Sequence, residues 1–408
     1  MEENNRHIFY GMQILLDQKW STDQAVIVEH EEIKSIVPTN MMDHHMPATL
    51  HAYPEDHYLI PGLIDLHVHG AKGYDVMDGT EKALTALSSA LAAEGVTGFL
   101  ATTMTATDEH LEKVLQVIAA RQPTKEGAAI LGVHLEGPFL AKAKVGAQNE
   151  NLTQLPNIDL VIKWQKLAQG AIKVVTLAPE LPDAITFIRD LRSLGMCVAI
   201  GHTNATYAET MEAVDAGCSQ ATHLFNAMRG IAQREPGAAG ALLLADNVVA
   251  ELVCDGIHLH PAIVDLAFRV KGRDRLLLVS DAMRAKCMKD GRYELGGQEV
   301  NVKKGKTTLD DGTIAGSTLQ LPQAIKHMSK YAQCSLEGAI RMAAYNPART
   351  LGLSDRKGSI SLGKDADLVV LNSAFKALLT MRAGTVVFED AAYHLGLNSN
   401  NYKKRNKK

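Results

Sequence analysis

The 408-residue sequence contains few cysteines and few aromatic side chains. Aromatic residues make up 5% of it, and its five cysteines are odd in number and widely spaced, with no CxxC pair. This usage argues against a disulfide framework and favours a reducing compartment. We therefore expect a cytoplasmic protein.

Long apolar runs and a basic surface are also missing. The N-terminal stretch "MEENNRHIFY" has no apolar signal core, and no stretch approaches the ~20 consecutive apolar residues of a transmembrane helix. The net charge of −4, without a basic stripe carrying aromatic residues, argues against a nucleic-acid surface. We expect neither a membrane nor a nucleic-acid partner, and we expect the basic segment 401–408 to be a disordered, solvated tail.

The sequence differs in kind between its two ends and its middle. Residues 8–60 and 358–389 have the pattern of short strands and turns, whereas in the middle short apolar runs alternate with helical segments such as "TEKALTALSSALAAEG". Eight such alternations predict a closed, TIM-type (β/α)₈ barrel. The predicted fold is therefore α/β, with a barrel over 61–356 and a small β-sandwich domain assembled from 1–60 and 357–400.

Polar residues end the eight apolar runs, where a (β/α)₈ barrel carries its chemistry. The runs are "LIDLHVHG", "VTGFLATTM", "AILGVHLEG", "IKVVTLAPE", "MCVAIGHT", "SQATHLF", "NVVAELVCDG" and "RLLLVSDAM". At or just after their ends lie His67, His69, Thr102, Thr103, Glu136, Glu180, His202, His223, Asp255, His258 and Asp281.

The pair His67 and His69 predicts a metal site. Side chains two residues apart on a strand point to the same face, so both rings would enter the barrel mouth. Alone, such a pair is more often two barrel-lining histidines held by hydrogen bonds than a metal site, but Glu136, His202 and His223 at other strand ends favour a metal. Imidazole and carboxylate ligands suit zinc, iron, manganese or cobalt, so the ligand types leave the ion open.

Other polar or metal-binding residue types in these runs receive different interpretations. Asp281 ends the eighth run, and a carboxylate beside a metal-bound water is the usual proton carrier in hydrolysis. His134 shares a face with Glu136 but lies deeper, so we expect it to pack or to support a ligand. Cys254 is expected to be a small buried side chain of the seventh strand.

Seven motifs together resemble the amidohydrolase superfamily and, within it, the N-acetylglucosamine-6-phosphate deacetylases. They are "PGLIDLHVHG", "HLEGPF", "GHTNAT", "THLFNAM", "DGIHLHP", "SDAM" and "AGSTLQL", in the family's order over nearly the whole chain. The resemblance implies metal-dependent hydrolysis of the acetamide of N-acetyl-D-glucosamine 6-phosphate to D-glucosamine 6-phosphate and acetate. That reaction belongs to amino-sugar catabolism and cell-wall sugar recycling.

The resemblance also implies roles for individual residues. Glu136, His202 and His223 would hold one divalent metal, and His67 and His69 would complete a second site with Glu136 bridging, the two ions lying roughly 3.5–4 Å apart. Asp281 would be the catalytic aspartate. Contacts to the sugar phosphate would come from Asn226, Ala227, Arg234, His258, Ala147 and Leu319.

Two further features concern the phosphate and the acetyl carbonyl. Arg234 suits phosphate because a guanidinium binds it through two parallel hydrogen bonds, and since the family is often dimeric it would serve its own site or a neighbour's. Where many family members have "GAHN", this chain has "GAQN". Gln148 can donate a hydrogen bond but cannot carry positive charge, so we hypothesise that a second metal supplies the missing electrophile.

Three alternatives stay open at this stage. A deacetylase for N-acetylgalactosamine 6-phosphate would differ in substrate at one hydroxyl group. A cyclic-amide hydrolase such as a dihydroorotase or hydantoinase commonly bridges its metals with a carboxylated lysine of the fourth strand, but Lys173 lies at the start of that strand. A catalytically inactive sugar-phosphate sensor would not need the acid and ligand positions that this chain retains.

Overall fold

The N-terminal segment folds into short strands outside the barrel. The computed structural model describes residues 6–43, 47–121 and 126–391. The first seven strands are β1 (Arg6–Tyr10), β2 (Gln13–Leu16), β3 (Lys19–Ser21), β4 (Gln24–Glu29), β5 (Glu32–Pro38), β6 (Thr49–Ala52) and β7 (Tyr58–Pro61). Four of them form a sheet in the order β5-β4-β1-β6, in which only β1 and β6 run parallel.

The central segment forms an eight-stranded parallel sheet. The next strands are β8 (Leu63–Val68), β9 (Gly70–Ala71), β10 (Tyr74–Asp75), β11 (Val96–Thr103), β12 (Ala129–Glu136), β13 (Ile172–Leu177), β14 (Cys197–Ile200), β15 (Gln220–Ala221), β16 (Val249–Leu252) and β17 (Leu276–Leu278). Strands β8 and β11 to β17 pair in chain order, and β9 and β10 form a small separate ribbon. The eight apolar runs thus correspond to the eight barrel strands.

The barrel closes just beyond the end of β17. The backbone N–H of Asp281 donates to the carbonyl of His67 at 2.8 Å, and that of His69 donates to the carbonyl of Ala282 at 2.9 Å. These bonds join the first strand to the segment after the eighth. The predicted (β/α)₈ class is therefore confirmed, and the closing seam lies beside the predicted ligands.

Helices cover the barrel, and several of them begin at a side-chain cap. They are α1 (Glu81–Ala92), α2 (Asp108–Ala120), α3 (Ile158–Leu167), α4 (Ala184–Ser193), α5 (Tyr207–Ala216), α6 (Gly237–Leu244), α7 (Pro261–Lys271), α8 (Leu321–Tyr331), α9 (Leu336–Ala343) and α10 (Tyr345–Thr350). Thr206 and Glu209 form a capping box at the start of α5, and Gly217 ends it with a φ of 120°. Among the described residues, no helix combines the length and apolar character needed to cross a bilayer.

The C-terminal part adds one insertion and returns to the N-terminal strands. The remaining strands are β18 (Gly291–Leu295), β19 (Gln298–Lys303), β20 (Lys306–Thr308), β21 (Leu368–Leu371), β22 (Ala377–Arg382) and β23 (Thr385–Glu389). Strands β18 to β20 form an antiparallel sheet between the barrel's last strand and α8. Strand β21 pairs antiparallel with β7, giving a sheet in the order β23-β22-β21-β7-β2-β3.

Strands from both ends of the chain therefore share a sheet, as the predicted fold class requires. Phe9, Leu59 and Leu368 belong to one buried apolar cluster of these terminal strands, separate from the main barrel core. The division at residues 60/61 and 356/357 stays a prediction. The predicted basic tail 401–408 lies outside the described residues.

Candidate active site

The carboxylate of Glu136 lies at the centre of the predicted ligands. Its Oε1 is 3.1 Å from Nε2 of His202 and 3.1 Å from Nε2 of His223. The same oxygen is 3.5 Å from Nε2 of His67, and Oε2 is 3.3 Å from Nε2 of His69. The structure thus brings together side chains from strand ends that are far apart in the chain.

The cluster divides into two groups of three. We call Glu136, His202 and His223 the Glu136 group; their ligand atoms lie within bonding reach of one ion. We call His67, His69 and Asp281 the seam group, because they flank the closure of the barrel. Within it, Oδ1 of Asp281 is 3.5 Å from Nε2 of His67 and 3.4 Å from Nε2 of His69.

Hydrogen bonds to the second ring nitrogen fix three of the four imidazoles. Nδ1 of His67 is 2.9 Å from Oε2 of Glu251, Nδ1 of His69 is 3.2 Å from the carbonyl of Thr102, and Nδ1 of His202 is 3.1 Å from the carbonyl of Lys144. Because these oxygens only accept, each neutral imidazole carries its proton on Nδ1 and presents the lone pair of Nε2 to a metal. Nδ1 of His223 has no hydrogen-bond partner among the described residues.

Glu251 is a residue that the sequence analysis missed. It lies in β16 and is fully buried, and its oxygens accept from His67, from the backbone N–H of His223 and from Gln220. A carboxylate inside the apolar run "NVVAELVCDG" was the available signal, since a buried charge needs partners.

Left-handed backbone conformations turn three of these side chains into the mouth of the barrel. His202 has a φ of 48°, His223 of 30° and Asp281 of 47°, and each lies just after a barrel strand. Non-glycine residues pay of order 1–3 kcal/mol for such conformations, which cluster at functional sites. The strain therefore lies where the predicted ligands leave their strands.

The electrostatic balance of the cluster calls for positive charge. Burial acts to lower the pKa of His67, but the carboxylates of Glu136, Glu251 and Asp281 raise it well above its usual range. Burial also acts to lower the pKa of His69, but hydrogen bonds to Asp281 and Glu136 raise it to about 9. The imidazoles in turn hold the pKa of the Glu136 carboxyl well below its usual range, although burial alone would raise it.

This donor set fits a divalent metal ion. Four ring nitrogens and two carboxylates face one another in a buried site, with three of the rings already held in the ligand tautomer. Imidazole nitrogen and carboxylate oxygen are the usual ligands of hydrolytic metal centres. A bound cation would neutralise the negative charge of the converging carboxylates. Without a cation, protons on the imidazoles would do so.

A cavity of about 260 Å³ opens above the cluster. Ten of the predicted site residues line it: His69, Glu136, Ala147, Gln148, His202, His223, Asn226, Ala227, His258 and Asp281. His67 lies beneath, fully buried. The ligand cluster thus forms the floor of a cavity that a small molecule can enter.

Gln148 is oriented by two hydrogen bonds. Its Oε1 accepts from the backbone N–H of Thr105 at 2.7 Å, and its Nε2 donates to Oε2 of Glu136 at 2.8 Å. Because the oxygen is committed to Thr105, the amino group faces the cluster. One of its two N–H bonds remains for another acceptor.

One wall of the cavity contains residues that the sequence did not indicate. Met104 lines the cavity from the loop after β11, and Leu295, Thr313 and Ile314 line it from the insertion after the eighth strand. Gln298 of β19 ties the insertion to the Gln148 loop by donating to the carbonyl of Ala147 at 2.7 Å. Only the length of the segment between β17 and α8 hinted at this wall.

The remaining predicted residues lie in different places. His258 is held by Asp255, with Nδ1 2.7 Å from Oδ2. Arg234 is exposed in the loop before α6, and neither it nor Leu319 belongs to the lining of the cavity. Their predicted contacts with the sugar phosphate stay predictions.

His134 and Cys254, which the sequence analysis predicted not to be metal ligands, lie in or beside the barrel core. His134 contacts Thr176 through Nε2 at 2.7 Å, and burial lowers its pKa to about 4, so it stays neutral. Cys254 is fully buried just after β16. Both observations agree with packing or support.

Comparison with known proteins gives consistent results. The model of the amidohydrolase family matches residues 58–387. An N-acetylglucosamine-6-phosphate deacetylase of Bacillus subtilis (strain 168) is 41% identical over 381 residues, covering 90% of this chain and 96% of that protein. An N-acetylgalactosamine-6-phosphate deacetylase of Escherichia coli O157:H7 is 36% identical over 368 residues, covering 90% and 95%.

A solved structure has a similar fold over most of the chain. It is a mutant of the N-acetyl-D-glucosamine-6-phosphate deacetylase of Mycobacterium smegmatis in complex with N-acetyl-D-glucosamine-6-phosphate. Its TM-score is 0.85 at 33% identity, covering 94% of this chain and 99% of that chain. The chain therefore belongs to the amidohydrolase family and, within it, to the group of deacetylases that these relatives represent.

Proposed function

We propose that this chain hydrolyses the acetamide bond of N-acetyl-D-glucosamine 6-phosphate, releasing D-glucosamine 6-phosphate and acetate. The observation that carries the proposal is the convergence of four imidazole nitrogens, Glu136 and Asp281 on the floor of one cavity. The family and the relatives agree with this chemistry.

Two divalent ions are proposed for this floor: the Glu136 group would hold one, and His67 and His69 together with Glu136 would hold the other. When bound, such ions acidify a water molecule and polarise the acetyl carbonyl. Zinc, iron, manganese and cobalt all suit these ligands. Metal content measured on the purified chain identifies the ion and the number of filled sites.

Asp281 is proposed as the proton carrier. Its carboxylate lines the cavity and lies beside the two seam histidines. It accepts a proton from the attacking water and then donates that proton to the nitrogen of the departing amine. The acetamide C–N bond breaks at this second transfer, and acetate and the free amino sugar result.

Gln148 is proposed to stabilise the charge that develops on the acetyl oxygen. Its amino group faces the cluster because Thr105 holds its oxygen. A neutral amide N–H stabilises a developing oxyanion less than a protonated histidine does, so a bound metal would have to contribute to this task. This keeps the link between the "GAQN" sequence and the intact seam histidines as a hypothesis.

Recognition of the sugar phosphate is proposed to use residues around the same cavity. Asn226, Ala227, His258 and Ala147 line it, and we infer that these residues and Leu319 contact the substrate. Arg234 would bind the phosphate, in its own site or across a homodimer. Changing Arg234 to lysine should raise KM for the phosphorylated sugar while kcat changes little; an unchanged KM contradicts this role. A cytoplasmic location, inferred from the cysteine usage, completes the proposal.

The decisive test measures bound metal and acetate release on the same preparation. The expected result is up to two ions per chain, acetate formed from N-acetyl-D-glucosamine 6-phosphate, loss of both after chelation, and recovery on adding metal back. Acetate release that survives complete metal removal would overturn the mechanism. No acetate release by the metal-loaded chain would favour the inactive sensor.

One other substrate is favoured by a specific observation, the similarity to the Escherichia coli deacetylase of N-acetylgalactosamine 6-phosphate. Values of kcat/KM for the two sugars, measured side by side, decide between them. The cyclic-amide alternative loses support, because Nζ of Lys173 donates to the carbonyl of Gly170 at 3.0 Å, at the opposite end of its strand from the ligands.

A further inference from the structure

Glu251 sits beneath the seam group and belongs to none of the motifs that identify the site. Its side chain is fully buried in β16. Oε2 accepts from Nδ1 of His67 at 2.9 Å and from the backbone N–H of His223 at 3.0 Å, and Oε1 accepts from Nε2 of Gln220 at 2.6 Å. Three donors converge on one carboxylate, which offers acceptors only.

This arrangement leaves His67 one tautomer. In the neutral ring the proton sits on Nδ1, and the lone pair of Nε2 then points at His69, Glu136 and Asp281. A charged acceptor also makes a ligating imidazole more electron-rich than a neutral one does. The other supported rings, His69 and His202, have only backbone carbonyls as acceptors.

The Glu251 carboxylate contacts both ligand groups, but it contacts a metal-ligating side chain in only one of them. It binds the imidazole of His67 in the seam group but only the backbone of His223 in the Glu136 group. A change at Glu251 therefore acts first on the seam group. The chain leaving β15 keeps its other interactions, including the 2.9 Å bond from the Leu224 N–H to the carbonyl of Glu251.

We infer that Glu251 is a positioning residue that sets the affinity of the seam group for a metal ion. Whether this chain carries one metal or two then depends on a carboxylate of the seventh barrel strand that touches neither metal nor substrate. This inference rests on the two-metal form of the proposed function.

The experiment compares Glu251→Gln, Glu251→Met and a matched control, Glu94→Gln. Glutamine keeps an acceptor oxygen for His67 but removes the charge, whereas methionine removes the acceptor. Glu94 is the control because it is also a buried carboxylate with an ionic partner, Lys286, but it contacts none of the ligands. A His69→Asn variant, which removes a seam ligand, identifies the binding step that belongs to the seam group.

Each full-length variant is stripped and titrated with cobalt(II) against a competing chelator, recording bound metal per chain and the visible absorption of the ion. In Glu251→Gln the cobalt affinity of the seam group, identified as the binding step that His69→Asn removes, should fall about 10- to 100-fold, as for other residues that orient a ligand. The affinity of the other binding step should stay the same. Over the same range of cobalt concentration, Glu251→Met should bind one ion fewer per chain, the ion that belongs to the seam group. Glu94→Gln should lower the Tm but keep both steps.

Several outcomes would overturn the inference. Wild-type affinities for both steps in the two Glu251 variants would do so, as would equal weakening of both steps or the same change in Glu94→Gln. A folding defect of Glu251→Met leaves the glutamine variant as the test. A wild-type chain that binds a single equivalent contradicts the two-metal form of the proposed function and this inference with it, whereas two equivalents with an unaffected Glu251→Gln contradict the inference alone.

Discussion

The Glu136 group and the seam group differ in what holds their rings. The seam histidines are fixed by barrel strands, through Glu251 of β16 and the carbonyl of Thr102 in β11. His202 instead depends on the carbonyl of Lys144, in the loop that also carries Gln148 to the cavity. The seam group is thus part of the scaffold, whereas the Glu136 group is coupled to a loop that substrate would touch.

The largest effect is expected where the two groups meet. Glu136 contacts all four imidazoles, so Glu136→Gln should lose both metals and reduce kcat/KM by about three orders of magnitude or more, because several kcal/mol of charge stabilisation disappear. The measurements are metal per chain and acetate release.

Glu180→Gln is the matched control for that variant. Glu180 also follows a barrel strand, but it accepts from Thr203 and Asn204 rather than from a histidine. It should keep both metals. Two bound ions in Glu136→Gln would show that the groups do not share this carboxylate.

A substitution at Asp281 should affect catalysis more than metal binding. In Asp281→Asn, the Glu136 group should keep its metal while kcat falls roughly 10²- to 10⁴-fold, since a positioned proton carrier contributes that much. Metal analysis and steady-state kinetics on one preparation check this. Turnover near that of the wild type would remove Asp281 from its proposed role.

The barrel and the strand-end residues were predictable because their signals are local. His67 and His69 alternate on one strand, and Glu136, His202 and His223 each close an apolar run next to a turn. Periodicity and polarity in short windows were sufficient for these positions.

Other features depend on contacts between distant parts of the chain. Glu251 is 184 residues from His67, and nothing near it in sequence indicates which donors it meets. The wall formed by Leu295 and Ile314 exists because the insertion packs against Met104, whose methyl group lies close to Gly296. Patterns in a short window carry no information on such packing.

A smaller effect is expected at Gln148, whose task is shared with the metal. Gln148→Ala should lower kcat roughly 10- to 100-fold, at or below the loss seen when a single oxyanion donor is removed, with both metals still bound. Gln148→His, which introduces the histidine that the family resemblance implies at this position, should retain turnover. If Gln148→Ala with both metals bound turns over like the wild type, the amide takes no part in stabilising the oxyanion.

The smallest effect is expected at Gly146, in the loop that carries Lys144 and Gln148. A variant there tests whether this loop affects the activity and metal affinity of the Glu136 group. Gly146 has a φ of 60°, and a Cβ there would lie 3.6 Å from Cε1 of His202, an ordinary contact. Gly146→Ala therefore costs mainly backbone strain of about 1 kcal/mol. If this strain is relieved by a shift of Lys144 and Gln148, the same free energy corresponds to a roughly fivefold lower kcat/KM.

Gly195→Ala is the matched control, because Gly195 has a φ of 80° and nothing within 4 Å of its added Cβ. Both variants should lose similar amounts of Tm, since both force an alanine into the left-handed region. Only Gly146→Ala should lose activity and bind the ion of the Glu136 group more weakly. Equal activity in the two variants would mean that the loop holds His202 no more closely than a strand would, and the contrast between the two groups would then rest on Glu251 alone.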